Sequence, residues 1–301
     1  MVDDGVPRIA ARDERSTPRE GADAIVNAIV ACAQQALRKA GIDARDVVAG
    51  GCSSPGPLDH RTGVVFETPN LVGFRDISLA GRLGEALGTT VFLDRDTCMA
   101  AIAECLVGAA RGATDFVYVT VSTGVGGAIV SGGRMLRGAS NTAGEIGHWP
   151  VAFQPDAVLR ADHDMPRCGC GAYGCVEAFA AGAKLAEHYG SREATTVYAA
   201  AESGDARANA LIVRAERALG SLAVGLVNAI NPAVLVVGGS IAEHQPEHVL
   251  EPMRRAIAER AFKAPAAAVR VVPAALGADV GMLGAVLEAR ERAAGRGDWF
   301  L

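Results

Sequence analysis

Three of the seven cysteines fall within eight residues, as Cys168-Gly-Cys170-Gly-Ala-Tyr-Gly-Cys175, and this spacing constrains the chain more than any other feature. The intervening glycines let the backbone turn tightly enough to aim three sulfurs at one centre. With His148, in the run Gly144-Glu145-Ile146-Gly147-His148, they make a Cys3His set suited to a tetrahedral zinc ion. The plainer alternative is three unrelated thiols in a glycine-rich loop beside a surface histidine. A disulfide explains less, because three is an odd number and nothing else marks the chain as secreted. A structural zinc would also hold Glu145, His148 and Glu177 near one another, and so fix a polar site.

At 301 residues the chain is long for one core and comfortable for two domains. Half of it is hydrophobic, so burying a large core is no difficulty. A net charge of −5 with no Lys/Arg cluster argues against nucleic acid or an anionic membrane as partner, and favours a small molecule. The start, Val2-Asp3-Asp4-Gly5, is charged and lacks the apolar core of a signal peptide. The richest apolar runs are broken by Gly, Asn or Pro before they could cross a bilayer. The expectation is a cytoplasmic protein with reduced thiols, in which Cys32, Cys52, Cys98 and Cys105 serve as small buried hydrophobes.

Strand and helix patterns alternate along the chain. A weak strand is expected over 9–16 and a helix over 20–40, stopped by Gly41. A short strand at 47–49 leads into a loop of little bulk, Gly50-Gly51-Cys52-Ser53-Ser54-Pro55-Gly56-Pro57, which fits close approach to a ligand or an ordinary turn equally well. Residues 64–66 read as another strand and 79–87 as a short helix. The strand at 90–93 ends in Asp94-Arg95-Asp96-Thr97 before a helix at 99–110. A carboxylate at such a junction is exposed and oriented, although capping alone would account for Asp94 or Asp96. The clear strand Phe116–Val121 turns through Ser122-Thr123-Gly124-Val125-Gly126-Gly127, whose hydroxyls and amides can face a phosphate, into a strand at 128–130. No Gly-Lys-Ser/Thr follows, so it is not a Walker A loop. Helices are expected at 178–189, 209–230, 247–262 and 281–290, and strands at 234–237 and 269–272. The second of these helices stops at Asn231-Pro232, and the strand at 234–237 ends in Gly238-Gly239-Ser240. The alternation indicates an α/β architecture with ligands at the strand ends.

Taken in order, these motifs resemble the ROK family of bacterial sugar kinases and repressors over nearly the whole chain. The most specific carrier is Gly-Glu-Ile-Gly-His followed by Cys-x-Cys-Gly-x-x-Gly-Cys-x-Glu. The Pro-Gly-Pro loop, Thr68-Pro69-Asn70, Leu93-Asp94-Arg95-Asp96, the Ser-Thr-Gly-Val-Gly-Gly hairpin and Val-Val-Gly-Gly-Ser agree with it. The resemblance implies an actin-like ATPase (ribonuclease H-like) fold, with two α/β lobes around a cleft. It implies lobes of 1–110 plus 286–301, and of 111–285 with the zinc motif. ATP with Mg²⁺ and a hexose are the implied small-molecule partners, a homodimer the implied assembly, and the zinc structural.

Carried over residue by residue, Asp96 is the general base, and Gly56, Asn70, Arg95, Glu145, His148 and Glu177 line the sugar site. His148 serves zinc through one ring nitrogen and sugar through the other. Thr123, Gly124 and Gly126 face the nucleotide phosphates, and Gly238 and Gly239 lie near the nucleoside. His148, Cys168, Cys170 and Cys175 are the metal ligands. Two departures stand out. Arg95 occupies a place where the family has a sugar-bonding Asn; a donor-only guanidinium cannot accept from a hydroxyl, and is expected to pair with Asp94 or a phosphate. The sequence also contains no Asp-x-Gly-Gly-Thr turn, so it looks one strand short at the start. Either the start codon lies too far downstream, or this is a short form with impaired phosphoryl transfer. The alternative function is a non-catalytic sugar-binding relative, a sensor or degenerate kinase.

Overall fold

The computed structural model describes residues 2–3, 6–68, 73–151 and 165–297. The chain divides into two compact units, one of residues 1–112, 134–143 and 279–301, the other of residues 113–133 and 144–278. In chain order the elements are β1 (Val2–Asp3), β2 (Val6–Pro7), α1 (Ala22–Ala40), β3 (Gly50–Ser54), β4 (Leu58–Asp59), β5 (Val64–Glu67), β6 (Arg75–Ser78), α2 (Leu79–Leu87), β7 (Val91–Arg95) and α3 (Asp96–Val107). There follow β8 (Phe116–Val121), β9 (Val125–Ser131), β10 (Arg134–Met135), α4 (Val176–Ala180), α5 (Gly182–Tyr189), α6 (Ala194–Glu202) and α7 (Ala206–Ile230). The last are β11 (Val234–Gly238), α8 (Ser240–His244), α9 (Pro246–Arg260), α10 (Lys263–Ala268), β12 (Arg270–Pro273) and α11 (Val280–Ala293). Among the described residues no helix is long and apolar enough to cross a membrane.

In the first unit β3 and β7 pair in parallel, from Gly50 opposite Val91 to Ser54 opposite Arg95. Their carboxyl ends therefore lie side by side, and the Gly56 loop emerges next to Asp94, Arg95 and Asp96. The antiparallel ladder β4-β5-β6 packs Leu58 and Val65 into a core with Ile25 and Val26 of α1, Leu79 and Leu83 of α2, and Leu93 of β7. Helix α1 stops where sequence reading placed its end, since Gly41 takes φ 67° and returns its N–H to Arg38 O. Helix α11 lies so close to β3 and α3 that a Cβ at Gly51 would strike Ala285 and one at Gly284 would strike Met99.

In the second unit the strand order β9-β8-β11-β12 is antiparallel at its first step and parallel thereafter. Every residue of β11 is buried, and β8 is buried but for Thr120. Strands covered on both faces read as unbroken apolar runs, as these do. Helix α7 begins at Asp205, whose carboxylate accepts from Ala208 N at 2.8 Å, and ends at Asn231 in the left-handed region before Pro232. Its buried face packs with α4 and α9 into the unit's main core, with Phe179, Leu219, Leu226 and Met253.

Three local expectations change. Residues 9–16 are not a strand, and the strand expected at 47–49 begins instead at Gly50, after a 3-10 turn over Ala44–Asp46. The helix expected over 178–189 is two helices broken at Ala181, because the Gly182 and Ala183 amides turn to the carbonyls of Ser122 and Thr123 at 2.8 and 3.2 Å.

Candidate functional site

The turn of the β8–β9 hairpin is Ser122-Thr123-Gly124, closed by Val121 opposite Val125 and by Ser122 N donating to Gly124 O at 2.9 Å. Gly126 sits beyond the turn, paired with Thr120. Because β8 and β11 run parallel, the turn and the Gly238-Gly239-Ser240 segment share one end of the sheet. Ser122 Oγ and Ser240 Oγ lie 2.9 Å apart. Gly239 has φ 95°, and a Cβ there would strike Val121 O and Thr120 Oγ1, so only glycine fits. These elements open on a cavity of about 460 Å³, lined by Ser122, Thr123, the start of α5, Arg192–Thr195, Tyr198, Ser240 and Gln245. That volume is in the range of small-molecule and nucleotide pockets.

The cysteine cluster lies in the same unit. Isolated antiparallel bridges, Pro150 to Cys175 and Arg167 to Tyr173, bring the two halves of the motif together. Gly171 and Gly174, at φ 94° and 74°, supply the bends. His148 Nδ1, Cys168 Sγ, Cys170 Sγ and Cys175 Sγ all lie within 4.8 Å of one another. Cys170 and Cys175 are 3.7 Å apart, and Cys168 Sγ is 3.4 Å from His148 Nδ1. Those separations match the edges of a tetrahedron with bonds of about 2.3 Å to sulfur and about 2.0 Å to nitrogen. Burial pushes the Cys175 thiol up to about 12 and raises Cys168, whereas a hydrogen bond to the Ala172 backbone lowers Cys170. A cation is what would bring such thiols to thiolates.

Glu177, at the start of α4, joins this cluster to the hairpin. Its Oε2 accepts from Val125 N at 3.1 Å, and its Oε1 is 3.6 Å from Cys168 Sγ. A Cβ at Gly124 would come within 2.9 Å of the same carboxylate, which accounts for that glycine. His148 turns Nε2 away from the sulfurs toward Glu145, 4.0 Å distant, and the Glu145 side chain is exposed.

In the first unit the end of β7 separates two carboxylates that sequence reading left open. Asp94 is fully buried: Arg137 Nη1 and Nη2 donate to its Oδ1 and Oδ2 at 2.9 and 2.6 Å, and Arg95 N adds a bond of 2.7 Å. Asp96 is exposed at the first position of α3, with Oδ1 accepting from Thr97 N at 2.7 Å. Arg95 between them is buried, its Nη2 2.5 Å from Ala143 O and 3.4 Å from Cys98 Sγ. Its stem lies against Gly56, where a Cβ would be 3.1 Å from Arg95 Cδ. Asn70 lies outside the described residues.

Behind Asp94 stand Glu288, which accepts from Arg292 Nη1 at 2.9 Å, and His60. Burial, with the nearby Asp94 carboxylate adding, pushes Glu288 up to about 7; burial, with Arg137 and Arg292 adding, holds His60 down at about 4. The two groups give opposed stability slopes. Glu288's contribution is full below about 4.5 and is lost as pH rises through about 7, whereas that of His60 is full above about 6.5 and is lost as pH falls through about 4. Glu288→Gln is therefore expected to gain on the wild type by roughly 2–3 kcal/mol between pH 5 and 8. Thermal melts across that range check it, and parallel melting curves would refute it.

A model of the ROK family matches residues 3–292. The chain belongs to the ROK family. A glucokinase from Halalkalibacterium halodurans is 31% identical over 258 residues, 79% of this chain and 75% of its own. A ROK hexokinase from Thermus thermophilus superimposes with TM-score 0.77 at 36% identity, covering 96% of this chain and 93% of that one. A ROK glucokinase from Streptomyces griseus, solved with glucose and AMPPNP, gives TM-score 0.77 at 27% identity, covering 95% and 94%. The fold is accordingly the actin-like ATPase fold that the motifs implied.

Sequence reading of this ROK chain missed several residues that the geometry brings forward. Ser240, Tyr198 and Gln245 line the second unit's cavity, and only Ser240 had a local signal, the two glycines before it. Arg137, His60 and Glu288 surround Asp94 from positions remote in the chain, and no spacing rule could have joined them.

Proposed function

We propose that this ROK protein is an ATP-dependent sugar kinase that phosphorylates a hexose hydroxyl, with Asp96 as general base. The observation that carries the reading is the contrast at the end of β7. Of two neighbouring carboxylates, Asp94 is fully buried in an ion pair with Arg137, while Asp96 is exposed at a helix N-terminus, where the helix dipole favours a negative group. The names of its relatives, glucokinase and hexokinase, support the same class. In the proposed reaction Asp96 takes the proton of the attacking sugar hydroxyl while its oxygen bonds to the γ-phosphorus and ADP leaves.

The nucleotide, as its Mg²⁺ complex, is assigned to the cavity lined by Ser122, Thr123 and Ser240, with Gly124 and Gly126 of the hairpin and Gly238 and Gly239 of the adjoining strand end assigned to its approach. Glu145, His148 Nε2 and Glu177 are assigned to sugar hydroxyls, and Gly56, Arg95 and Asn70 to the sugar site's other contacts. His148 Nδ1, Cys168, Cys170 and Cys175 fit a structural zinc, which would supply charge to hold the thiolates and fix the His148 ring. With Nδ1 on such an ion, His148 Nε2 would remain for substrate, and Glu177 is braced by Val125 N.

Purified protein with ATP, Mg²⁺ and a panel of glucose, mannose, fructose, N-acetylglucosamine and N-acetylmannosamine is expected to release ADP and a sugar phosphate. Saturable sugar binding by calorimetry without nucleotide binding would overturn the kinase reading in favour of a sugar sensor.

A further inference from the structure

The segment 137–143 closes on itself and on the end of β7 inside one unit. Ala143 N donates to Arg137 O at 3.0 Å. Arg137 grips Asp94 with both terminal nitrogens, Arg95 Nη2 donates to Ala143 O, and Asn141 Nδ2 donates to Asp59 Oδ1 at 3.0 Å. Arg137, Asp94, Arg95 and Asn141 are all buried. Asp96 stands two residues beyond Asp94, on a junction whose helix-capping residue, Arg95, makes no side-chain cap. Both residues before that junction are held by arginine contacts, Asp94 by the Arg137 fork and Arg95 by its own bond to Ala143 O, beside the β3–β7 ladder and the bond from Thr97 N to Asp96. A carboxylate held by two parallel N–H bonds from a planar guanidinium keeps its orientation, and an ammonium cannot reproduce the fork.

We propose that Arg137 is a positioning residue for the kinase reaction: through Asp94 it sets where the Asp96 carboxylate stands, without touching sugar or nucleotide. Arg95 completes the same clasp by tying the other end of the segment, which gives a use for the residue found in place of the family's Asn. The inference rests on the proposed sugar kinase activity. Displacement of a catalytic carboxylate by about 1 Å is enough to cost on the order of 10²-fold in rate, so a small loosening at Asp94 is legible in kcat. The charged and titratable groups that face Asp94 are Arg137, Arg95, Arg292, Glu288, His60 and the Cys98 thiol.

The test begins with wild-type turnover; its absence would remove the kinase reading itself rather than this inference. Given turnover, Arg137→Lys is expected to lower kcat by about 10- to 100-fold, with the calorimetric Kd for sugar and the KM for ATP changed less than about threefold. Asp94→Asn is expected to do the same, and the double variant to lose little more than either alone, because all three break one contact. If burial of an imperfect pair prevents these variants from folding, Asn141→Ala loosens the far end of the clasp without stranding a charge, and is expected to lower kcat by about 3- to 10-fold at unchanged sugar Kd. A lowered melting temperature with wild-type kcat per folded molecule would show that Arg137 is structural only. A raised KM with unchanged kcat would show that it contacts substrate, and additive losses would show that Arg137 does not act through Asp94. Any of these three results overturns the proposal.

Discussion

Replacing Asp96 by Asn is expected to lower kcat by roughly 10²- to 10⁴-fold while sugar binding persists. Asn has the shape of Asp and can still accept from Thr97 N, so the bond that orients the side chain on α3 survives. What it loses is the capacity to take a proton. The side chain is exposed, so no cavity forms and no buried charge is stranded. The helix dipole's preference for a negative charge at the N-terminus of α3 contributes about 0.3–1 kcal/mol to the stability cost. Coupled ADP release with calorimetry on the same preparation separates the two effects. Turnover within a few-fold of wild type would show that Asp96 is a helix-terminal carboxylate and not the base. Asp94 is no substitute in the role, since its oxygens are occupied by Arg137 and Arg95 N and it is fully buried.

How far the chain could be read before folding depends on whether its signals are local. The β8 and β11 runs were legible because both faces are covered, which removes the polar alternation and leaves an apolar string. Helices α1 and α7 were legible because a left-handed Gly41 and Asn231 end them. The cysteine cluster was legible because its bends are glycines within eight residues. Strand β3 was misplaced because Gly50-Gly51-Cys52-Ser53-Ser54 has no intrinsic strand preference; it pairs with β7, and Gly51 lets α11 approach, for tertiary reasons alone. The break at Ala181 has no proline or glycine before it and arises from the hairpin carbonyls that capture the next two amides. At the site, the difference between Asp94 and Asp96 was hidden, since both stand at the same strand end. It takes Arg137, 43 residues away, to bury Asp94 in an ion pair, whereas Asp96 is exposed at the start of α3.

Removal of the metal is expected to have the largest effect on stability. The loops that carry the Cys3His set are joined by isolated bridges at Pro150–Cys175 and Arg167–Tyr173 and by a few turn bonds, too little on their own to hold three buried or half-buried polar side chains together. Without a cation, burial keeps Cys168 and Cys175 as thiols, and the four donor atoms lose the charge that would draw them to one centre. Apparent binding energies of structural zinc sites in small peptides reach about 10–16 kcal/mol; here the second unit has its own large core, and only part of that would be lost. A cost of about 3–5 kcal/mol corresponds to a fall in melting temperature of roughly 6–20 °C for a unit of this size. Cys175→Ser, or chelation verified by elemental analysis, is expected to produce that fall and to weaken sugar binding along with it. The coupling follows from the geometry: His148 meets the cluster through Nδ1 and faces Glu145 through Nε2, and Glu177 reaches from Cys168 to the Val125 amide. Freeing the ring removes the order of the His148 nitrogen assigned to the sugar, while Glu177 keeps its bond from the Val125 amide. One zinc per chain in protein purified without added metal supports the assignment. Unchanged sugar affinity after verified metal loss would show that the metal stabilises the loops without organising the site.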